Sequence, residues 1–343
     1  MLSNKQIQEL KEHLDRAQNP LFFFDNDLDG LCSFLLLRRY NNRGKGVAIK
    51  SFPELNITYA RKIQELNPDY IFVLDKPKIS PAFLDEIKNL AIPFVWLDHH
   101  NVEHPEVQGY FNPVFSEKSS SEPTTYWAYK ITGRKEDLWI ALLGCIGDGF
   151  LPEFAEEFEK QYPELWGNVK TAFQGLYNSE LGKIGKILSF GLKDTTTNVV
   201  RMLKLLCEIK SPIEILEENK KTHTIHQRFK QINNKYQGLV EKAKSMASGK
   251  LLYFQYGGDL SLSADIANEL YYSFPEKIIV VAYISGAKAN VSLRGTNVKE
   301  LTVKAIQGIE GATGGGHQDA TGCQMSVEFL PKFKNNIEKL LKN

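Results

Sequence analysis

Cysteine is scarce in this chain of 343 residues. Cys32, Cys145, Cys207 and Cys323 lie far apart in apolar segments and form no C-x-x-C pair. A disulfide framework is not expected, and reduced, buried thiols of a cytoplasmic protein are. Long apolar runs are missing too: none approaches the roughly 18 residues of a membrane span. Lys5, Glu9 and Lys11 interleave at the N-terminus, which does not read as a signal peptide. A soluble, cytoplasmic protein is the expectation. Nor is there a charge excess: charged residues make up 24% of the chain, yet the net charge is +1. No global field draws it to a polyanion, so a nucleic acid would have to be met by a local patch. Internal repeats and compositionally disordered segments are likewise absent. The length leaves room for two domains, each with its own core.

What is present is concentrated at Leu21-Phe22-Phe23-Phe24-Asp25-Asn26-Asp27-Leu28-Asp29-Gly30. An apolar run of strand type ends in three aspartates at alternate positions. Alternate residues at a strand end point the same way, so the three carboxylates converge. Hard oxygen ligands of that kind suit Mg²⁺ or Mn²⁺, which would neutralise the charge. The D-x-D-x-D-G spelling also opens a calcium loop of EF-hand type. Its twelfth position, where a bidentate Glu belongs, is Leu36, and a strand precedes it where a helix belongs.

The same pattern recurs along the first half of the chain. A helix is expected over residues 3–18, with Ser3 as its cap, and strands over 21–24 and 46–52. Tyr70 to Leu74 is an apolar strand ending in Asp75, and Phe94 to Leu97 another ending in Asp98-His99-His100. Helices at 57–66 and 81–90 separate them. This is a βαβ pattern, whose ligands lie beyond the carboxyl ends of the parallel strands. The apolar helical stretch Leu138 to Ile146 delivers a further acid, Asp148. Any one of these aspartates reads equally well as a helix cap; their recurrence at one kind of position carries the argument.

Residues 112–123 read as a loop and about 151–248 as a polar, helical stretch. Lys220, Lys221, Arg228, Lys230, Lys235, Lys242 and Lys244 fall within it. They read first as a solvated helix face and second as a wall that tracks a phosphate backbone. His223 and His226 are expected as ordinary surface histidines. Texture changes at Gly249, and strands over 251–256, 277–284, 289–294 and 323–327 alternate with helices over 261–272, 298–306 and 331–341. Gly311 to Gly316 fits the start of a Walker A loop, but His317 stands where Lys is required. The glycines Gly314, Gly315 and Gly316 still let backbone N–H groups approach an anion, with His317 and Arg294 to add charge-assisted hydrogen bonds.

Taken in order, Asp25-Asn26-Asp27-Leu28-Asp29-Gly30, Asp75, Asp98-His99-His100, Asp148, and Ser292-Leu293-Arg294 before Gly314-Gly315-Gly316-His317 resemble the motifs of the DHH phosphoesterase superfamily with a C-terminal DHHA1 domain. The resemblance implies an α/β fold: an N-terminal parallel-sheet DHH domain (1–150) that binds metal, a helical linker (151–248), and a smaller α/β DHHA1 domain (249–343) that binds substrate. It implies two Mn²⁺ ions, with Mg²⁺ or Co²⁺ as substitutes. One ion would be held by Asp25, Asp27 and Asp75, the other by Asp29, Asp75, His99 and Asp148. Asp98 would orient a neighbouring histidine, and His100 would act on the scissile phosphate or the leaving oxygen. Ser292, Arg294, Gly314, Gly315, Gly316 and His317 would hold a substrate phosphate. Many relatives carry a metal-binding His at the position of Phe23. The Asp-x-Asp-x-Asp-Gly form resembles the RecJ branch, and Asp75-Lys76-Pro77-Lys78 with the long linker resembles the RecJ-like proteins of archaea.

The activity so implied is a metal-dependent phosphodiesterase or exonuclease on single-stranded DNA or RNA, or on short oligonucleotides. Two alternatives stand beside it. One is a cyclic dinucleotide phosphodiesterase. The other is a scaffold associated with a replicative helicase, with little or no nuclease activity; one protein could also be both a nuclease and a replication or repair partner. No membrane partner is expected.

Overall fold

The computed structural model describes residues 1–51 and 54–342. The chain divides into two compact units, residues 1–230 and 231–343. The first begins with helix α1 (Asn4–Arg16), whose cap is reciprocal: the Ser3 hydroxyl accepts from the Gln6 amide while the Gln6 side chain accepts from the Ser3 amide. Strand β1 (Pro20–Asp25) leads into α2 (Leu28–Asn41) and β2 (Lys45–Ile49). Phe52, the expected end of the second strand, lies outside the described residues. Strand β3 (Glu54–Leu55), helix α3 (Ala60–Leu66), β4 (Tyr70–Leu74), β5 (Lys78–Ile79), α4 (Pro81–Asn89), β6 (Phe94–Leu97) and β7 (Tyr110–Phe111) follow. The sheet runs β2-β1-β4-β6-β7 and every pairing in it is parallel; β3 and β5 pair separately.

Both faces of this sheet are covered, which explains its unbroken apolar strands. Phe22, Phe24, Phe72 and Leu74 enter one core, shared with α2 and later helices. Leu21, Phe23, Ile71, Val73 and Trp96 enter the other, beneath Ile63, Phe83 and Ile87. Helices α5 (Thr124–Thr132) and α6 (Leu138–Gly147) pack on the first face, with α6 buried almost throughout. Helix α5 was not anticipated. Its sequence, TTYWAYKIT, is rich in β-branched and aromatic residues with weak helix propensity, so packing decides its conformation.

The expected helical stretch after residue 150 is helical, and its segments through Leu216 share the first unit's core through Phe158, Leu181, Leu188, Leu206 and Ile215. Arg39 ties them to α2, pairing with the buried Asp137 at 2.7 Å and donating to the carbonyls of Leu206 (2.9 Å) and Ile209 (2.6 Å). The unit division falls inside the long helix His223–Ser245. One expectation there is corrected. His226 is not a surface histidine: it is buried, with Nε2 2.8 Å from the Ile215 carbonyl, because its position faces the core. Lys230 and Lys235 pair with Glu218 (2.6 Å) and Asp259 (2.9 Å), as a solvated helix face does.

The second unit is a mixed sheet of order β11-β12-β10-β9-β8. Its strands are β8 (Leu251–Gly257), β9 (Ile278–Ser285), β10 (Lys288–Arg294), β11 (Thr313–Gly316) and β12 (Ala320–Ser326). Strands β8 and β9 pair in parallel, and the other pairings are antiparallel. Helices Val298–Ile306 and Leu330–Leu340 cover a core of Val280, Val291, Leu293, Phe333 and Ile337. All four cysteines are unpaired thiols. Among the described residues no helix is long and apolar enough to cross a membrane.

The turn from β1 into α2 leaves no room for a side chain at Gly30. A Cβ at Gly30 would sit 2.4 Å from the Asp25 carbonyl oxygen and 2.7 Å from its nitrogen. Gly30→Ala is therefore expected to cost about 1–3 kcal/mol in urea unfolding. Gly238, in the long helix, has open space above its Cα. Gly238→Ala is expected to be neutral or to stabilise by up to about 1 kcal/mol in the same assay.

Candidate metal centre

Register brings the acidic residues together. Phe24 pairs with Leu74, and Leu74 with Leu97, so the next residues, Asp25, Asp75 and Asp98, leave the sheet side by side at its carboxyl end. Asp75 adopts a left-handed backbone (φ 57°), which aspartate tolerates better than most side chains, and its amide donates to the Leu97 carbonyl at 2.9 Å. Asp27 caps α2 by accepting from the Gly30 amide at 2.9 Å. Asp29 lies one turn in, and Asp148 follows the end of α6.

The cluster converges on His99. Its Nε2 lies 3.4 Å from Asp75 Oδ1 and 3.7 Å from both Asp29 Oδ2 and Asp148 Oδ2. Ligand atoms of Asp29, His99 and Asp148 all fall within 4.8 Å of one another. Asp75, Asp98 and His100 form an adjoining group of the same compactness. Asp25 and Asp27 stand outside both groups. Asp25 Oδ1 instead accepts from Lys76 Nζ at 3.0 Å and from the Asn26 amide at 2.9 Å. Carboxylates with one imidazole, in a space this small, make a donor set that fits a hard or borderline divalent cation.

The protein supplies some compensation itself. The start of α5 points at Asp29: the amides of Thr124 and Thr125 donate to its two carboxylate oxygens at 2.9 and 2.6 Å. A helix N-terminus favours negative charge there. The Thr124 hydroxyl also donates to Asp75 Oδ1 at 3.3 Å. Compensation is incomplete. Burial, then the charges of Asp29 and Asp27, push the Asp75 carboxyl well above the ordinary range. Loss of water contact around its carboxylate, then Asp25 and Asp29, lift Asp27 to about 7, although its side chain still reaches solvent.

His100 behaves in the opposite way. Burial presses its imidazolium down, but the Asp98 carboxylate, 2.8 Å from Nδ1, outweighs this and lifts it to about 9. Asp98 is wholly buried, with Tyr110 and Asn112 donating to it at 3.4 Å, and Asn112 also donates to the His100 carbonyl at 3.0 Å.

Five contributors were missed in the sequence: Lys76, Thr124, Thr125, Tyr110 and Asn112. Lys76 was visible only as the neighbour of Asp75. The others follow loops or an unexpected helix, and no spacing marks them.

In the second unit, Ser292, Gly322 and Gly315 share one row across β10, β12 and β11. Gly314, Gly315 and Gly316 form the edge strand β11, not a loop, because β12 supplies their pairing. Alternate peptide groups of an edge strand point outward. Arg294 donates through Nη1 to the carbonyls of Leu293 (2.7 Å) and Thr321 (3.3 Å) and through Nε to Asn268. Ser292 is buried against Ser263 (3.0 Å), and the His317 amide closes a turn on Ala320 (2.9 Å).

Residues 218–343 match the DHHA1 domain family. No curated protein matches the chain by sequence. Among solved structures, it is similar to RecJ of Thermus thermophilus in complex with Mn²⁺, with 15% identity and a TM-score of 0.69 over 98% of this chain and 54% of that one. The chain thus spans about half the length of that protein. A second RecJ exonuclease, bound to manganese, is matched at 15% identity and a TM-score of 0.65 over 99% and 95% of the two chains. The pGpG-specific phosphodiesterase PggH of Vibrio cholerae is matched at 14% and 0.51, over 94% and 97%. The whole chain therefore has the RecJ fold.

Two outcomes follow. In the metal-free protein the His100 ring resonance should titrate near 9, and Asp98→Asn should lower that midpoint by more than about one unit. Stability should also fall as pH rises. A folded Asp27 near 7 keeps a proton that the unfolded chain has lost above about 4, so folding is favoured on the acid side. The raised His100 contributes below its unfolded value, near 6.5, and loses that contribution as pH approaches 9. Melting temperature without metal should drop between pH 5 and 9, and added Mn²⁺ should restore it most at the alkaline end.

Proposed function

We propose that this chain, a member of the DHH/DHHA1 phosphoesterase superfamily, is a divalent-metal-dependent phosphodiesterase that hydrolyses single-stranded or short nucleic acids from an end. The observation that carries this reading is the convergence of Asp29, Asp75 and Asp148 within 3.4–3.7 Å of His99 Nε2. Those four residues would hold one cation, and Asp27 and Asp75, with or without Asp25, a second. Mn²⁺ is the favoured ion, since two of the matched RecJ structures carry manganese, with Mg²⁺, carried by a third, as a substitute. Bound cations would supply the positive charge that stabilises the attacking and leaving oxygens of an in-line displacement.

The chain's own residues do the rest. Asp98 fixes the His100 ring by accepting from Nδ1, which directs Nε2–H to a phosphate oxygen or the leaving oxygen. Its raised proton affinity keeps that donor charged at neutral pH. In the second unit, the outward peptide groups of β11 with His317 and Arg294 would suit a phosphate. A second reading, hydrolysis of a dinucleotide such as pGpG, is favoured by the likeness to PggH.

A cleavage panel with Mn²⁺ tests both. It would compare 5′- and 3′-labelled single-stranded DNA and RNA, linear and cyclic dinucleotides, and pyrophosphate. Shortening of labelled single strands from an end is expected, and cleavage of pyrophosphate alone would sink the proposal. Asp75→Asn keeps the left-handed turn accessible and should abolish turnover. His100→Ala should lower kcat by about 10²–10⁴-fold while leaving Mn²⁺ binding in place.

A further inference from the structure

We infer that Lys76 is a resident cation of the acidic cluster, holding Asp25 out of metal ligation so that the site takes one divalent ion tightly and a second one weakly. The inference rests on reading the cluster as a metal centre and refines how many ions that centre keeps.

Lys76 is wholly buried, which lysine almost never is without a dedicated partner. Its ammonium donates to Asp25 Oδ1 at 3.0 Å and to the Ser51 carbonyl at 2.8 Å. The backbone that carries it is pinned as well: the Trp96 indole donates to the Lys76 carbonyl at 2.8 Å, and Trp96 is itself wholly buried. The lysine is thus built into the floor of the sheet beside Asp75, not swung in from solvent.

An ammonium has three donors and no acceptor, so it binds no metal. Its effect on the centre is through charge and through Asp25. The oxygen of Asp25 that faces Lys76 already accepts two hydrogen bonds. A divalent ion drawn to that carboxylate would be repelled by the fixed ammonium that lies 3.0 Å from Asp25 Oδ1. The remaining acidic donors on this side are Asp27, which also caps α2, and Asp75, already turned to His99. The neighbouring His100 ring is engaged through Nδ1 by Asp98, and the side chain at 23 is Phe23, sealed in the opposite core against Phe83. The Asp29–His99–Asp148 side, by contrast, gathers two carboxylates and an imidazole within 4.8 Å, with Asp75 beside them. The two sides of the cluster are therefore unequal.

Mn²⁺ titration of the whole protein, followed by calorimetry and by the EPR signal of free ion, measures this without reference to turnover. One tight equivalent is expected, and a second at least about 10-fold weaker. Asp25→Asn keeps a hydrogen-bond acceptor for Lys76 and should leave the tight equivalent within about 3-fold, since Asp25 is not among the groups gathered at His99. Lys76→Met should release Asp25 and tighten the second equivalent by about 10-fold, which a merely structural ion pair would not do. Should Lys76→Met not fold, Lys76→Gln takes its place, and a folded variant of either kind with an unchanged second equivalent would overturn the inference. Two equal tight equivalents in the unaltered protein, or a loss of about 10-fold or more in Asp25→Asn, would overturn the role of Lys76. An unaltered protein that binds no Mn²⁺ would instead overturn the metal centre itself.

Discussion

Repulsion among carboxylates packed at one end of a parallel sheet is the constraint on which the first unit turns. Asp25, Asp27, Asp29, Asp75 and Asp148 crowd a space from which much of the water is excluded. Left alone, such a cluster would protonate or open. Positive groups therefore converge on it from neighbouring elements. Helix α5 brings its N-terminal amides to Asp29, and the turn after β4 brings Lys76. What remains unneutralised is the charge that a divalent cation would satisfy.

These supports are structural commitments, not surface additions. Helix α5 exists where it does because Asp29 and the apolar face of α2 both receive it: Thr125 donates its hydroxyl to the Asp29 carbonyl at 2.9 Å, while Trp127, Ala128 and Ile131 enter the core. Trp96 fills the opposite core and also holds the peptide of Lys76. Asp98 sits wholly buried and spends its charge on His100, supported by Tyr110 and Asn112. Packing and electrostatics are thus carried by the same residues, so substitutions in the core near the sheet's carboxyl end will also move the chemistry.

The asymmetry of the cluster bears on its mechanism. A lysine stands on one side of it and a histidine on the other, and two ions bound there would be held with different strength. The second unit adds an exposed edge strand of glycines in register with Ser292, a surface of a different kind on a separate core.

Much of this was legible in the amino-acid order. Apolar runs of strand type ending in Asp25, Asp75 and Asp98 announce a parallel sheet, because the side-chain period and the covered faces of such a sheet leave no other pattern. The aspartates and His99 could be named because a strand's end points where its register sends it. Lys76, Thr124, Thr125, Tyr110 and Asn112 could not, since their roles depend on which loop or helix lies across from them, and spacing along the chain holds no record of that. The burial of His226 and the pairing of Gly314–Gly316 into an edge strand were hidden for the same reason. Composition and periodicity determined the elements and the strand and helix ends at which the acidic side chains stand; only tertiary contact decided which charges meet, because a charge chooses its partner by distance in space and by the water that folding removes.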